Sequence, residues 1–154
     1  MNLALLKAEL RRDEGVRYSP YPDTRGFRTV GVGHNMTASP LPAGWKFPLT
    51  AAQVDQLLDA DVADTLHQLD AHLPWWRTLS EVRQRVVANM VFNLGISDFL
   101  GFHKAIGGMQ EGAWDVAADE MQNSKWFGQV KDRAVRLCEA MRTDVMPDEP
   151  KVTA

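Results

Sequence analysis

The helical pattern of this chain breaks once and sharply, between residues 16 and 34. Before the break Leu3, Leu6 and Leu10 fall on one helical stripe, Glu14 continues it by a further turn, and Gly15 supplies a stop signal. Within the break Tyr18, Pro20, Tyr21, Pro22, Asp23, Gly26, Gly31 and Gly33 exclude a regular helix. Asp23-Thr24-Arg25-Gly26 reads as a turn, and Phe27 to Val32 as a short strand in a hairpin or small sheet. Residues 35–49 hold three prolines and a glycine and read as a loop. Such a chain is α+β and predominantly helical, with a small sheet lobe near its start.

Helix returns at Thr50. Thr50-Ala51-Ala52-Gln53 is a capping box, and Val54, Leu57, Leu58, Val62, Leu66 and Leu69 follow on one face until Leu73-Pro74. Its length and polar outer face suit a helix linking two lobes. Ser80 can cap a second long helix carrying Val82, Val86, Val87, Met90, Val91 and Leu94, ending at Gly95. Apolar residues lie on nearly all its sides, which places it at the centre of a helical lobe. Shorter helices are expected over 102–110, 113–122 and 131–143. One domain of two lobes is expected over 1–146, with a flexible tail over 147–154.

Composition narrows the function. Cys138 is alone, so no intrachain disulfide or cysteine-rich metal site can form. His67, His72 and His103 lack metal-ligand spacing, and neither a metal nor a cofactor is expected. The net charge is −3 and no basic tract marks a nucleic-acid footprint. An acidic balance gives no long-range attraction to an anionic wall. Lys7 and Glu9 interrupt the apolar run at the N-terminus, leaving no convincing signal peptide, and no stretch is long enough to insert in a membrane.

The segment from Glu14 to His34 carries the chemistry. It brings two carboxylates close in sequence, Glu14 on the apolar side of a helix end and Asp23 in a polar turn. Glycoside hydrolysis needs two carboxyl groups in unlike environments, one protonated and one ionised. Partial burial and the negative end of the helix dipole both favour the protonated form of Glu14. An ion-paired helix-end glutamate and an ordinary turn aspartate would look the same by spacing alone.

Three runs settle which family this segment resembles: Glu14-Gly15-Val16-Arg17, Tyr21-Pro22-Asp23-Thr24-Arg25-Gly26 and Thr29-Val30-Gly31-Val32-Gly33-His34. They resemble the T-even phage lysozymes, glycoside hydrolase family 24, at every fixed position. The similarity continues through Asn89-Met90-Val91-Phe92-Asn93-Leu94-Gly95, Gly101-Phe102, Trp114-Asp115, Ser124-Lys125-Trp126 and Asp132-Arg133-Ala134, as far as about Arg142. The resemblance implies a lysozyme-like fold and a muramidase acting on bacterial peptidoglycan with inversion of configuration. It makes Glu14 the general acid, Asp23 the group that assists the water or steadies positive charge, and Thr29 a holder of that water. It gives Gly33 and Phe92 to the saccharide cleft, pairs Arg133 with Glu14, and pairs His34 with Asp61 as a structural contact. Asn35, Ala105 and Glu120 depart from the family's cleft residues, which leaves glycan and peptide contacts open. The resemblance also implies a monomer that collects in the host cytoplasm and reaches the wall through a holin. A lytic transglycosylase would use one glutamate and no water; Asp23 and Thr29 argue against it. A zinc amidase fails on its ligands, and a non-catalytic wall-binding module would not need all three residues.

Overall fold

The structure is a computed structural model and describes residues 1–152. Helix α1 spans Leu3–Glu14, capped by the Asn2 side chain, which accepts from Leu5 N at 3.0 Å. A three-stranded antiparallel sheet follows in the order β1-β2-β3, with β1 Arg17–Pro22, β2 Arg28–Gly31 and β3 His34–Asn35. Arg17 pairs with Gly31 and Tyr21 with Thr29 across β1 and β2, with a register irregularity between the two pairs. The expected strand over 27–32 is therefore real and slightly shorter, and the sheet reaches one residue past the break, because Asn35, expected in the loop, pairs with Thr29.

The linking helix α2 is Ala51–His72, and both bonds of the Thr50 capping box form, at 3.1 and 2.9 Å. Of its expected face, Val54, Leu57, Leu58, Val62 and Leu69 are buried and Leu66 is half-buried. A 3₁₀ turn over Pro74–Thr78 leads into α3, Glu81–Leu94, capped by Ser80. As its all-round pattern implied, α3 is the core of the helical lobe, buried from Arg83 to Val91. Helices α4 (Ile96–Leu100), α5 (His103–Glu111), α6 (Trp114–Gln122), α7 (Lys125–Val130) and α8 (Asp132–Thr143) complete the lobe: α4 and α8 pack on α3, α6 and α7 on α8, and α5 on α6. Gly108 lets α5 and α6 touch, since a Cβ there would lie 3.0 Å from Ala117 N. The short elements α4, α7 and the 3₁₀ turn are absent from the sequence expectation, although Ser124 caps α7 by accepting from Phe127 N at 3.2 Å and Pro74 opens the 3₁₀ turn.

Trp76 is fully buried and donates to Asp70 Oδ1 at 2.7 Å, while its neighbour Trp75 is half-buried, so the adjacent tryptophans divide as helical geometry requires. At the other end the expected tail begins as a docked segment. Met146 is buried, the Asp148 carbonyl accepts from Arg12 at 2.6 Å, and Glu149 accepts from Arg85 at 2.7 Å. The last two residues of the tail, 153–154, lie outside the described residues.

Candidate active site

The site forms where the C-terminal end of α1 meets the sheet and α8. Glu14, the last residue of α1, keeps about a fifth of its side chain exposed. Its Oε1 accepts from Arg133 Nη1 at 2.7 Å. The same guanidinium donates from Nε to Asn89 Oδ1 at 2.9 Å, so α8 and α3 together fix the arginine that fixes Glu14. The sheet closes the other side. Gly33 has φ +66°, and a Cβ on it would lie 2.9 Å from Glu14 Oε2. Glycine is required there twice over, by backbone conformation and by the carboxyl in its place.

Asp23 sits in the turn between β1 and β2. Its Oδ1 accepts from the backbone N–H groups of Arg25 and Phe27, at 2.9 and 2.8 Å. Two fixed donors aim the carboxylate and leave Oδ2 outside that turn. Thr29 is buried in β2 opposite Tyr21, and its hydroxyl donates to the Phe27 carbonyl at 2.9 Å, leaving its oxygen free to accept. Tyr21 lies near both carboxylates: partial burial first, then the charge of Glu14, raises its hydroxyl above the ordinary value. Glu14 and Gly33 are in contact, Asp23 and Thr29 both bond to the backbone of the β1–β2 turn, and Tyr21 feels the charges of Glu14 and Asp23.

Beside the Asp23 turn a cavity of about 800 Å³ opens between Arg25 and the helical lobe. Phe102 and Trp126 form its aromatic wall, and Ala105 and Glu120, two of the departing cleft positions, line it. Asn35, the third, spends its side-chain oxygen on the N–H groups of Thr37 and Ala38. Phe92 is half-buried against the core and lies outside the wall of this cavity. Trp126 is almost wholly buried and donates to Asn93 Oδ1 at 2.9 Å, so it is mainly core. Among the described residues no group of three His, Cys, Asp or Glu could hold a metal ion.

A family profile described as phage lysozyme matches residues 11–137, from the last turn of α1 into α8. The chain belongs to the phage lysozyme family. The chain is 26% identical over 162 residues to a probable T4-type lysozyme 1 of Dictyostelium discoideum, covering 92% of this chain and 95% of that one. It is 29% identical over 148 residues to the pre-baseplate central spike protein of Enterobacteria phage T4, covering 83% of this chain but 26% of the spike protein's length. An endolysin of Salmonella phage P22 is 32% identical over 95 residues, covering 60% of this chain and 62% of the endolysin. Every residue of the Glu14–His34 segment falls inside the family match.

His34 is buried and bridges Asp61 Oδ2 at 2.7 Å and the Ser39 carbonyl at 2.8 Å, tying the sheet to α2 and to the loop. That occupies both ring nitrogens. Sequence reasoning missed the second shell behind Glu14. Asp13 is buried, accepting from Asn89 Nδ2 at 3.0 Å, Arg136 at 2.9 Å and Arg12 at 3.1 Å. Burial alone would raise its carboxyl; the Asn89 bond and the Arg133 and Arg12 charges outweigh that and hold it below its usual value. The signal available was a single asparagine, Asn89, on an otherwise apolar stretch of α3, and an aspartate adjoining the candidate acid.

Proposed function

We propose that this protein is an endolysin-type muramidase. It hydrolyses the β-1,4 bond between N-acetylmuramic acid and N-acetylglucosamine in bacterial peptidoglycan and lyses the host cell. Membership of the phage lysozyme family supports glycoside hydrolysis, and the relatives named lysozyme and endolysin support the wall as target. The observation that supports the residue assignment best is Glu14, gripped by Arg133 and pressed against Gly33.

In this reading Glu14 is the general acid that protonates the departing glycosidic oxygen. Asp23 faces the positive charge that develops at the anomeric carbon and assists the attacking water. Thr29 Oγ1 holds that water, its own proton being committed to the Phe27 carbonyl. Gly33 lets the sugar approach the strand backbone, and Phe92, which lies outside the cavity beside the Asp23 turn, is assigned to the saccharide cleft by its family position alone. Arg133 positions Glu14, while His34 and Asp61 keep the sheet seated. Water entering from the face opposite the departing sugar gives inversion, which needs about 6.5–9.5 Å between the two carboxyl groups. The enzyme works as a monomer without metal or cofactor. It gathers in the host cytoplasm and depends on a holin to meet the wall; among the described residues no helix is long and apolar enough to cross a membrane.

Mass spectrometry of digested peptidoglycan tests the chemistry. Reducing N-acetylmuramic acid ends are expected, with the α anomer appearing first. Anhydro-muramyl ends would replace this reading with a transglycosylase, and new amino ends with an amidase. Expression with and without a pore former tests delivery: lysis should require the pore.

A further inference from the structure

Charge is unevenly distributed over this protein. The charged residues of segment 15–49, apart from His34, are Arg17, Asp23, Arg25, Arg28 and Lys46, four cations against one carboxylate in a chain of net charge −3. All four cations are exposed, and among the described residues none has a carboxylate within ion-pair distance. Elsewhere Lys7, Arg11, Arg77 and Arg142 are paired, whereas the exposed Lys104, Lys125, Lys131 and Lys151 have no carboxylate within ion-pair distance among the described residues. The opposite sign collects on α2, which carries five aspartates and no lysine or arginine. The sheet lobe is therefore a locally cationic surface on a protein of net negative charge.

Arg25 belongs to the cavity wall, whereas Arg28 and Lys46 lie outside it. The Arg28 guanidinium sits over the Phe47 ring, 5.9 Å from its centre. The Leu49 N–H donates to the Tyr18 carbonyl at 2.7 Å, which lays the loop bearing Lys46 and Phe47 along β1. Phe47 is 39% exposed and Tyr18 44%. Arg28 and Phe47 thus meet on the surface, and with Lys46 and Tyr18 they leave cationic and aromatic groups open to a partner.

The two features specify one partner chemistry. Flat aromatic rings match the apolar faces of pyranose sugars, and guanidinium and ammonium groups match carboxylates. A glycan strand with carboxylate-bearing peptide arms offers both. An anionic bilayer would attract the same cations, but it rewards aliphatic bulk that can insert. Three of the four large apolar residues exposed in segment 15–49 are instead aromatic: Tyr18, Phe27 and Phe47, beside Val16. We propose that Tyr18, Arg28, Lys46 and Phe47 form a second, non-catalytic binding surface for peptidoglycan, which holds the enzyme on the wall while the cleft acts. This rests on the reading that peptidoglycan is the substrate and adds a contact outside the cleft. It also gives an acidic protein a local attraction to an anionic polymer, one that salt screens.

The test uses the whole chain carrying Glu14→Gln, sedimented with purified sacculi at low and high ionic strength. Adding Arg28→Gln and Lys46→Gln should lower affinity roughly ten-fold at low salt and remove most of its salt dependence. Adding Tyr18→Ser and Phe47→Ser should lower it at both salt levels. With Glu14 restored, both pairs should slow clearing of whole walls and leave the rate on a short soluble muramyl oligosaccharide unchanged, with an unaltered thermal midpoint. Undiminished sacculus affinity in both pairs overturns the surface. So does an equal loss on the short oligosaccharide, or preferential binding of the parent to anionic phospholipid vesicles. A parent protein that fails to cut the short oligosaccharide at all refutes the muramidase reading instead.

Discussion

Arg133 donates to Glu14 at 2.7 Å across 119 residues of sequence, and the same guanidinium is bonded to Asn89. The carboxyl at the end of α1 is thereby held from the opposite end of the family match. Glu14→Gln preserves shape and removes the transferable proton. Wall-clearing activity should fall by about 10²–10⁴-fold, the usual worth of general acid catalysis, while circular dichroism and the thermal midpoint report a folded protein. A folded Glu14→Gln variant within a few-fold of the parent would remove Glu14 from the role of acid. Asp23→Asn should lose most activity too, and the two losses should not add, because both residues serve one transition state.

Gly33→Ala tests the fit between sheet and acid. An alanine must adopt φ +66° and place its methyl 2.9 Å from Glu14 Oε2. The backbone penalty alone is about 1–2 kcal/mol. The variant should melt earlier and lose more activity than its stability loss accounts for, since the methyl pushes Glu14 away from Arg133. Gly26→Ala is the control, with φ +83° and open space around its Cβ; it should show the stability loss with a smaller effect on rate.

The His34–Asp61 contact sets a slope of stability against pH. The hydrogen bond to Asp61 raises the His34 pKa above 6.5, with burial opposing. Protons bind more tightly to the folded form, so the stabilisation is fully present below the unfolded value and is lost as pH rises through the raised folded one. The thermal midpoint should therefore increase on acidification from about pH 8 to about pH 6. His34→Asn should flatten this segment of the curve, and an unchanged slope would show that the pair does not couple to folding.

Glu9 and Arg85 form a buried ion pair between α1 and α3. Arg85 also holds Glu81 and Glu149, so three carboxylates share one guanidinium. Burial pushes the Glu9 pKa up from 4.5 to about 7, against the pull of Arg85. The stabilisation linked to this group is complete below 4.5 and is lost as pH rises through about 7. Glu9→Gln should consequently flatten the fall of the midpoint with rising pH through about 7, in thermal scans across that range. Arg85→Met alone should be strongly destabilising, leaving a buried carboxylate unpaired, whereas Glu9→Met with Arg85→Met should recover most of the loss. A double variant no more stable than Arg85→Met would contradict this account.

Local pattern determined much of this protein. The Thr50 capping box, the Ser80 cap, the stops at Gly15, Leu73 and Gly95, and the α2 stripe depend on residues within a few positions of one another, and each is found where its chemistry placed it. The Glu14–His34 segment is equally local, but its spacing alone leaves Glu14 and Asp23 open to ordinary structural readings, and the candidate roles come from the resemblance to the phage lysozymes. The stripe on α1 was read only in part. Leu6 and Leu10 are buried, but Leu3 is 47% exposed and the third buried residue is Glu9. No pattern on α1 could announce that, because the burial of Glu9 depends on an arginine 76 residues away. The same holds for Asp13 with Arg136 and for the docking of Glu149 on Arg85, whereas the Glu14–Arg133 pair is expected only through the family resemblance. Caps, turns and apolar stripes are settled by neighbours along the chain. Whether a charge can be buried, and how a catalytic carboxyl is aimed, is settled by whichever opposite charge the folded chain carries to its side, and only the tertiary structure decides that.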